Sequence, residues 1–339
     1  MRRGRFAPSP TGELHIGNAF TAVLSWLQMR SAYGAFVLRV EDIDGARSKR
    51  EYVQQALADL RWLGLDWDEG PDVDGPYGPY CQQERLSLYE KALLHLEALG
   101  RLYPCFCSRA QLAQVASAPH GLFADEPRYP GTCRDLTPAQ QAELAVHKHP
   151  ALRFRVPDGE TSFVDAVAGI QRVDMATGGD FIVRRADGVF AYQLAVVVDD
   201  AEMGVTDVLR GMDLLSSTPR QIALYNALGK PIPTFAHVPI VLDVMGQRLA
   251  KRNRSITLRA MREAGVAAEE ILGVIGYLAG FCDTCQPISL DNLTDRFEIA
   301  KVPKHPVRLD PTSARVLHLR DVGVNDVGVN DVGVNEEAG

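Results

Sequence analysis

The sequence predicts an α/β protein built on a parallel sheet, and three stretches carry that expectation. Near the start, Arg5-Phe6-Ala7 reads as the end of a short strand and Pro8-Ser9-Pro10-Thr11-Gly12 as a rigid loop. From Asn18 the apolar residues Phe20, Val23, Leu24 and Leu27 recur at helical spacing. Ala35 to Val40 then reads as a buried strand ending in Glu41, Asp42 and Asp44. Strand, loop, helix and strand form a βαβ unit, whose two strands must run parallel. The second stretch is FAYQLAVVVDD (190–200), read as a strongly apolar strand that also ends in acids. The third observation is a pair of helices with glycine stops: Val53, Leu57, Leu60 and Leu63 before Gly64, and RQIALYNALG (220–229). Ligands of such sheets bind beyond the carboxyl ends of the strands, where the 8–12 loop and the acids after Val40 lie.

Composition sets the outer limits. With 339 residues, 46% apolar and 23% charged, the chain can bury a substantial core. No run approaches the roughly 20 apolar residues needed to span a bilayer. The basic start MRRGRFAPSPTG has no apolar stretch behind it, so a secretory signal is not expected. Six irregularly spaced cysteines do not make a disulfide framework, and the expected compartment is the reducing cytoplasm. The net charge is −7, of which −5 lies in residues 321–339, where five acids stand without a base. The remaining −2 neither favours nor excludes an RNA partner. A monomer is the expected state.

Residues 101 to about 190 differ in character. They hold Cys105, Cys107 and Cys133 and an Ala/Pro/Gly-rich stretch from Ala116 to Pro130, and they read as an insertion. Residues 256 to 280 read as two short helices. Cys282-x-x-Cys285 has no second pair and reads as core thiols. Beyond about residue 300 the patterning fades, and DVGVN occurs three times in tandem from Asp321. A five-residue period is neither heptad nor solenoid, so an acidic disordered tail is expected.

The chemistry concentrates in a few segments. In PSPTGELHIG (8–17), His15 and Gly17 fall where loop becomes helix, a place suited to a triphosphate. Taken alone, a single histidine there reads as a cap or surface residue. Four segments in order change that reading: GRFAPSPTGELHIGNAFTAVLSWLQMR (4–30), LRVEDIDGAR (38–47), FAYQLAVVVDDAEMGVTDVLRGMDLLSSTPRQIALY (190–225) and GQRLAKRNRSITL (246–258). Together they resemble the class I aminoacyl-tRNA synthetases, in the glutamyl branch, over roughly residues 4 to 280. The resemblance implies a Rossmann-type parallel sheet with a zinc-binding insertion and a short helical C-terminal part. It divides the chain into residues 1–100 and 190–245 as the two halves of the catalytic domain, with the insertion at 101–189. Residues 246–300 become the second signature loop with a helical part, and 301–339 the tail.

By that resemblance Arg5, Phe6, Ala7, Pro8, Ser9, Glu41, Tyr192 and Arg210 surround glutamate. The residue types suit the ligand: arginine forks bind a carboxylate, Glu41 matches an α-ammonium, and Tyr192 closes the pocket with a hydrogen bond. ATP, with Mg2+, is implied as co-substrate beside His15, Gly17, Asn18 and Lys251. The segment Arg248-Leu249-Ala250-Lys251-Arg252 matches the signature usually written KMSKS, whose lysine neutralises charge on the departing pyrophosphate. Both serines of that signature are replaced, by Ala250 and Arg252, and Asn18 stands where the first signature has its second histidine. His15 and Lys251 are thus the expected catalytic pair.

Within the branch, RGMDLLSSTPRQ (210–221) and EDIDGAR (41–47) resemble the shorter glutamyl-Q tRNA(Asp) synthetase family. Fewer than 90 residues follow Arg252, which leaves no room for a helical anticodon-binding region. That family activates L-glutamate without tRNA and attaches it to queuosine in the anticodon of tRNA(Asp). The alternatives are a truncated glutamyl-tRNA synthetase charging tRNA(Glu), or a non-catalytic RNA-binding paralogue, which the presence of His15, Glu41, Arg210 and Lys251 disfavours. Cys105, Cys107, Tyr129 and Cys133 resemble that family's zinc site, with one structural ion per chain. A closed site wants four ligands, and His120 rivals Tyr129 for the fourth place. Because the DVGVN repeats carry no core-forming pattern, truncation after about residue 320 is expected to leave melting temperature and activity unchanged. A clear fall in melting temperature would show that the tail docks.

Overall fold

A computed structural model of the chain describes residues 1–108, 110–112, 128–249 and 256–319. The sequence readings at Ala116 to Pro130 (up to residue 127), at His120, at Ala250, Lys251 and Arg252, and in the DVGVN tail lie outside the described residues. The chain begins with β1 (Arg3–Phe6), α1 (Ile16–Arg30), β2 (Ala35–Leu38), α2 (Arg50–Trp62) and α3 (Leu86–Ala98). It continues with β3 (Leu102–Cys105), α4 (Pro138–His147), β4 (Ala151–Phe154), β5 (Glu160–Asp165), β6 (Gly169–Asp174) and β7 (Phe181–Arg184). Next come α5 (Tyr192–Glu202), β8 (Asp207–Gly211), α6 (Thr218–Ala227), β9 (Thr234–Val238) and β10 (Val241–Leu242). The last described elements are α7 (Leu258–Glu263), α8 (Ala268–Leu278), α9 (Leu290–Arg296), β11 (Val307–Arg308) and α10 (Pro311–Val316).

The main sheet has the order β2-β1-β8-β9-β5-β6. Its first five strands are mutually parallel, and β6 returns antiparallel to β5 at one edge. The expected βαβ unit is present: Arg3 to Phe6 pair in register with Ala35 to Leu38, with α1 as the crossover. A separate antiparallel sheet, β3-β4-β7, carries Cys105 at its end.

Alternation along the strands divides the apolar residues between the two faces. Phe36, Leu38, Leu209 and Ala236 pack with α1, α2 and α8. Val37, Val208 and Phe235 pack with α3, α5 and α6 on the other side. Helix α1 is buried over eleven of its fifteen residues, which fits a helix sandwiched between the sheet and the C-terminal helices. Gly64 (φ +85°) and Gly229 (φ +63°) do lie just past α2 and α6, in the left-handed region that ends a helix.

One element is corrected. FAYQLAVVVDD is not a strand but the helix α5, which starts at Tyr192 after the extended Ala191. Leu194 to Asp200 are all buried, so the run is apolar on every side. A helix enclosed in this way shows no amphipathic period and cannot be told from a buried parallel strand by pattern.

The acids at its end explain the enclosure. Asp199, wholly buried, accepts from Arg85 Nε (2.6 Å), Gln82 Nε2 (2.9 Å) and Tyr89 Oη (2.9 Å). It thereby ties α5 to α3 and the turn before it. Asp199→Ala is expected to destabilise the protein by about 3–5 kcal/mol, because buried guanidinium groups would lose their counter-charge. Chemical denaturation reads this, and a loss under about 1 kcal/mol would show that water replaces the carboxylate.

Candidate active site

A cleft of about 540 Å³ opens at the carboxyl edge of the parallel sheet. Arg5, Phe6, Ala7, Pro8, Ser9, Glu41, Tyr192 and Arg210 all line it, as do His15, Gly17 and Asn18. The topology explains the convergence. The 7–15 loop leaves β1, Glu41 follows β2, Arg210 is near the end of β8, and Tyr192 begins α5. Arg248 and Leu249 reach the same cleft. Lys251 follows them outside the described residues.

The floor is a buried charge network. Arg39, fully buried, donates from Nη1 to Asp200 Oδ1 (2.6 Å) and from Nη2 to Glu41 Oε1 (3.0 Å). Arg5 Nε donates to Asp200 Oδ1 (3.2 Å), and its Nη1 to the Leu209 carbonyl (3.3 Å). Burial pushes the Asp200 carboxyl up, but Arg5 and Arg39 beside it outweigh this and hold it below the ordinary carboxylate value. Asp200 therefore adds stability that is present above the unfolded value of about 3.9 and lost as pH falls through its lower folded value. For Glu41 burial wins over Arg39 and Arg5, and its carboxyl is raised. A cation entering beside Glu41 would reverse that shift.

Arg210 is different. Its Nε donates to His237 Nε2 (2.9 Å), Nη2 to Thr218 Oγ1 (2.8 Å) and Nη1 to Tyr192 Oη (3.4 Å). Its side chain is 4% exposed, yet among the described residues no carboxylate forms an ion pair with it. A buried guanidinium facing a cleft without a counter-ion is a receptor for an anion. His237 in turn meets Asp165 Oδ2 at 2.6 Å. Burial drives the imidazole down to about 4, and the nearby Arg210 adds to this against the pull of Asp165.

His15 caps α1: its Nδ1 accepts from the backbone of Gly17 (3.1 Å) and Asn18 (3.3 Å), while Asn18 Oδ1 accepts from the His15 backbone N–H (3.0 Å). The cap takes two of the N–H groups at this helix start. Gly17 has its own reason: a Cβ there would lie 3.1 Å from the His15 ring.

Apart from the cleft, Cys105, Cys107 and Cys133 place their three Sγ atoms within 4.8 Å of one another. Cys107 and Cys133 are 3.6 Å apart, and Tyr129 Oη lies 3.5 Å from Cys105 and 3.9 Å from Cys107. Tetrahedral zinc at about 2.3 Å from sulfur would space its ligands about 3.8 Å apart, so the four atoms fit a metal ion. Arg153 lies 3.7 Å over the Tyr129 ring. Burial pushes the Cys105 thiol up, but hydrogen bonding with Tyr129 and with Arg153 brings it below the usual thiol value. Burial and the neighbouring sulfurs instead push the Cys107 thiol up to about 11.

The site residues that sequence reasoning missed are Arg39, Asp200, His237 and Asp165. Arg39 had a signal, a charge inside an otherwise apolar strand, and Asp200 stood in a conspicuous acid pair. Asp165 and His237 carried none, since neither belongs to a recognisable local pattern.

Comparison with known proteins agrees with this architecture. The family model described as tRNA synthetases class I (E and Q), catalytic domain, matches residues 2–306. The glutamyl-Q tRNA(Asp) synthetase of Symbiobacterium thermophilum is 59% identical over 310 residues, 91% of this chain and 96% of that protein. The protein of the same name from Nitratidesulfovibrio vulgaris is 50% identical over 309 residues, 91% of this chain and 95% of its own length. Among solved structures, the glutamate-tRNA synthetase of Elizabethkingia anophelis superposes with a TM-score of 0.80 at 28% identity, over 94% of this chain and 70% of that one. With the parallel sheet and its cleft, these likenesses identify the chain as a class I tRNA synthetase of the glutamate and glutamine group, in the glutamyl-Q tRNA(Asp) synthetase family.

Proposed function

We propose that the cleft activates L-glutamate with ATP and Mg2+ and transfers the glutamyl group to queuosine in the anticodon of tRNA(Asp). The observation that carries glutamate as substrate is Arg210, a buried guanidinium lining the cleft with no acid partner among the described residues. Glu41, opposite in charge and raised by its burial, is suited to the α-ammonium. Ala7, Pro8, Phe6 and Ser9 supply the wall, and Tyr192 holds Arg210 from the side.

Attack of the glutamate α-carboxylate on the α-phosphorus of ATP forms the glutamyl adenylate and releases pyrophosphate. In this reading His15, Gly17 and Asn18 bound the phosphates, and Lys251 meets the charge growing on pyrophosphate. A hydroxyl of the queuosine cyclopentenediol then attacks the adenylate carbonyl and AMP departs. An unpaired anticodon loop exposes its bases and can be brought directly into such a cleft. Supporting this acceptor is the higher identity to relatives named glutamyl-Q tRNA(Asp) synthetase than to the glutamate–tRNA ligase of a Sulfurihydrogenibium species, at 42%.

The cysteine cluster we assign to one structural zinc, held by Cys105, Cys107, Cys133 and Tyr129. It would bind the end of β3 to the segment around Cys133, and so stabilise the fold rather than take part in the reaction.

Three outcomes are expected. Arg210→Ala should weaken glutamate binding by about 2–5 kcal/mol, read by calorimetric titration, and unchanged affinity would remove Arg210 from the pocket. Chelator-free protein should contain one zinc per chain and lose it in Cys133→Ser. Tyr129→Phe and His120→Ala tested separately assign the fourth ligand, and metal-free wild type would leave three free thiols. Finally, radiolabelled glutamate should reach queuosine-containing tRNA(Asp) but not queuosine-free tRNA(Asp) or tRNA(Glu). Label on tRNA(Glu) would turn the assignment towards a glutamyl-tRNA synthetase.

A further inference from the structure

Strands β8, β9 and β5 are neighbours in the sheet, and Arg210 stands directly opposite His237 in their register. The three polar side chains Arg210, His237 and Asp165 therefore form a row across one face of the sheet, each at most 4% exposed. The hydrogens in this row are fixed by what each atom is able to do. Arg210 Nε can only donate, so His237 Nε2, 2.9 Å away, must accept. An imidazole that accepts on Nε2 carries its proton on Nδ1, which then donates to Asp165 Oδ2 at 2.6 Å.

Asp165 is itself held in place. Its other oxygen, Oδ1, accepts from the backbone N–H groups of Val167 (3.0 Å), Ala168 (2.8 Å) and His237 (3.1 Å). Oδ2 is thus left to face the imidazole, and the carboxylate has no freedom to turn. The neutral ring in the middle of the row satisfies Arg210 without cancelling its charge. A carboxylate in the same place would pair with the guanidinium and remove its attraction for a substrate anion.

We propose that Asp165 and His237 are positioning residues that set selectivity for glutamate over glutamine: Asp165 locks the His237 tautomer, and His237 holds Arg210 un-neutralised towards the substrate side-chain carboxylate. This rests on the reading of Arg210 as part of the glutamate pocket. A carboxamide gains no charge–charge attraction from such a guanidinium, and its NH2 would meet donors.

Asp165→Asn tests the lock with an almost isosteric change. Three backbone N–H groups orient the asparagine oxygen where Oδ1 was, so its NH2 faces His237 Nδ1. The ring must then accept on Nδ1 and carry its proton on Nε2, donor against donor with Arg210. In glutamate-dependent ATP–pyrophosphate exchange, KM for glutamate should rise about tenfold or more. The ratio of kcat/KM for glutamate over glutamine should fall, with KM for ATP unchanged. His237→Gln should lose less glutamate selectivity than His237→Leu, because its Oε1 can accept from Arg210 while its Nε2 donates to Asp165.

An unchanged glutamate KM in Asp165→Asn, alongside a raised KM in Arg210→Ala, overturns the positioning role and leaves the pocket standing. Unchanged KM in Arg210→Ala as well means the pocket reading itself has failed. Should Asp165→Asn not accumulate as folded protein, His237→Gln and His237→Leu decide. A larger loss of glutamate selectivity in the leucine variant than in the glutamine variant supports the proposal. An equal effect of both variants, or parallel changes in glutamate and ATP KM, reduces the dyad to a structural element and overturns it.

Discussion

Asp200 lies at the crossing of three chain segments, with Arg39 at 2.6 Å and Arg5 at 3.2 Å from the same oxygen. Arg5 comes from β1, Arg39 from the end of β2 and Asp200 from α5, so one carboxylate links both strands of the βαβ unit to the helix packed beneath them. Two arginines brought this close repel each other, and in a poorly hydrated interior that repulsion is weakly screened. The acid between them, with Glu41 on one side and Asp199 on the other, makes the arrangement tolerable. Removing one member exposes the others as uncompensated buried charges, which costs more than the pair itself contributes.

The same network decides how the two arginines of the cleft differ. Arg5 is already engaged by Asp200, and its charge is partly spoken for before any ligand arrives. Arg210 rests instead on uncharged acceptors, namely His237, Thr218 and the Leu214 carbonyl. Both are arginines at the end of parallel strands, yet the supporting groups make one a scaffold for the floor and the other a receptor. Identity of residue type does not settle role; the partners do.

The cap on α1 adds a second constraint. His15 folds back on its own helix, a posture that the lack of a side chain at Gly17 permits, and the antiparallel bridge between His15 and Thr257 brings the start of the C-terminal helical part alongside it. Leu14 and Leu258 are both buried in the same apolar cluster, so that apposition is held by packing as well as by backbone hydrogen bonds. Leu249 packs against the same cluster and lines the cleft together with Arg248. The cysteine cluster includes Cys105 at the end of β3, and Arg153 sets a positive charge over the ring of its tyrosine.

The sequence by itself determined the opening βαβ unit and the helix stops at Gly64 and Gly229, because each rests on a local pattern, and its resemblance to known signatures pointed to several of the residues that line the cleft. Period, turn chemistry and short signatures are all written within a dozen or so neighbouring residues. Residues 190–200 were misread because complete burial erases the period that separates helix from strand. Only the tertiary structure decided that Asp200 joins Arg5 to Arg39, across 195 and 161 residues of chain, and that Asp165 reaches His237 across 72. Those partnerships depend on strand order, and the order β2-β1-β8-β9-β5 sets side by side segments that lie far apart in sequence. Local chemistry names the groups that can bind or ionise; their neighbours in the folded sheet determine which are neutralised and which remain charged.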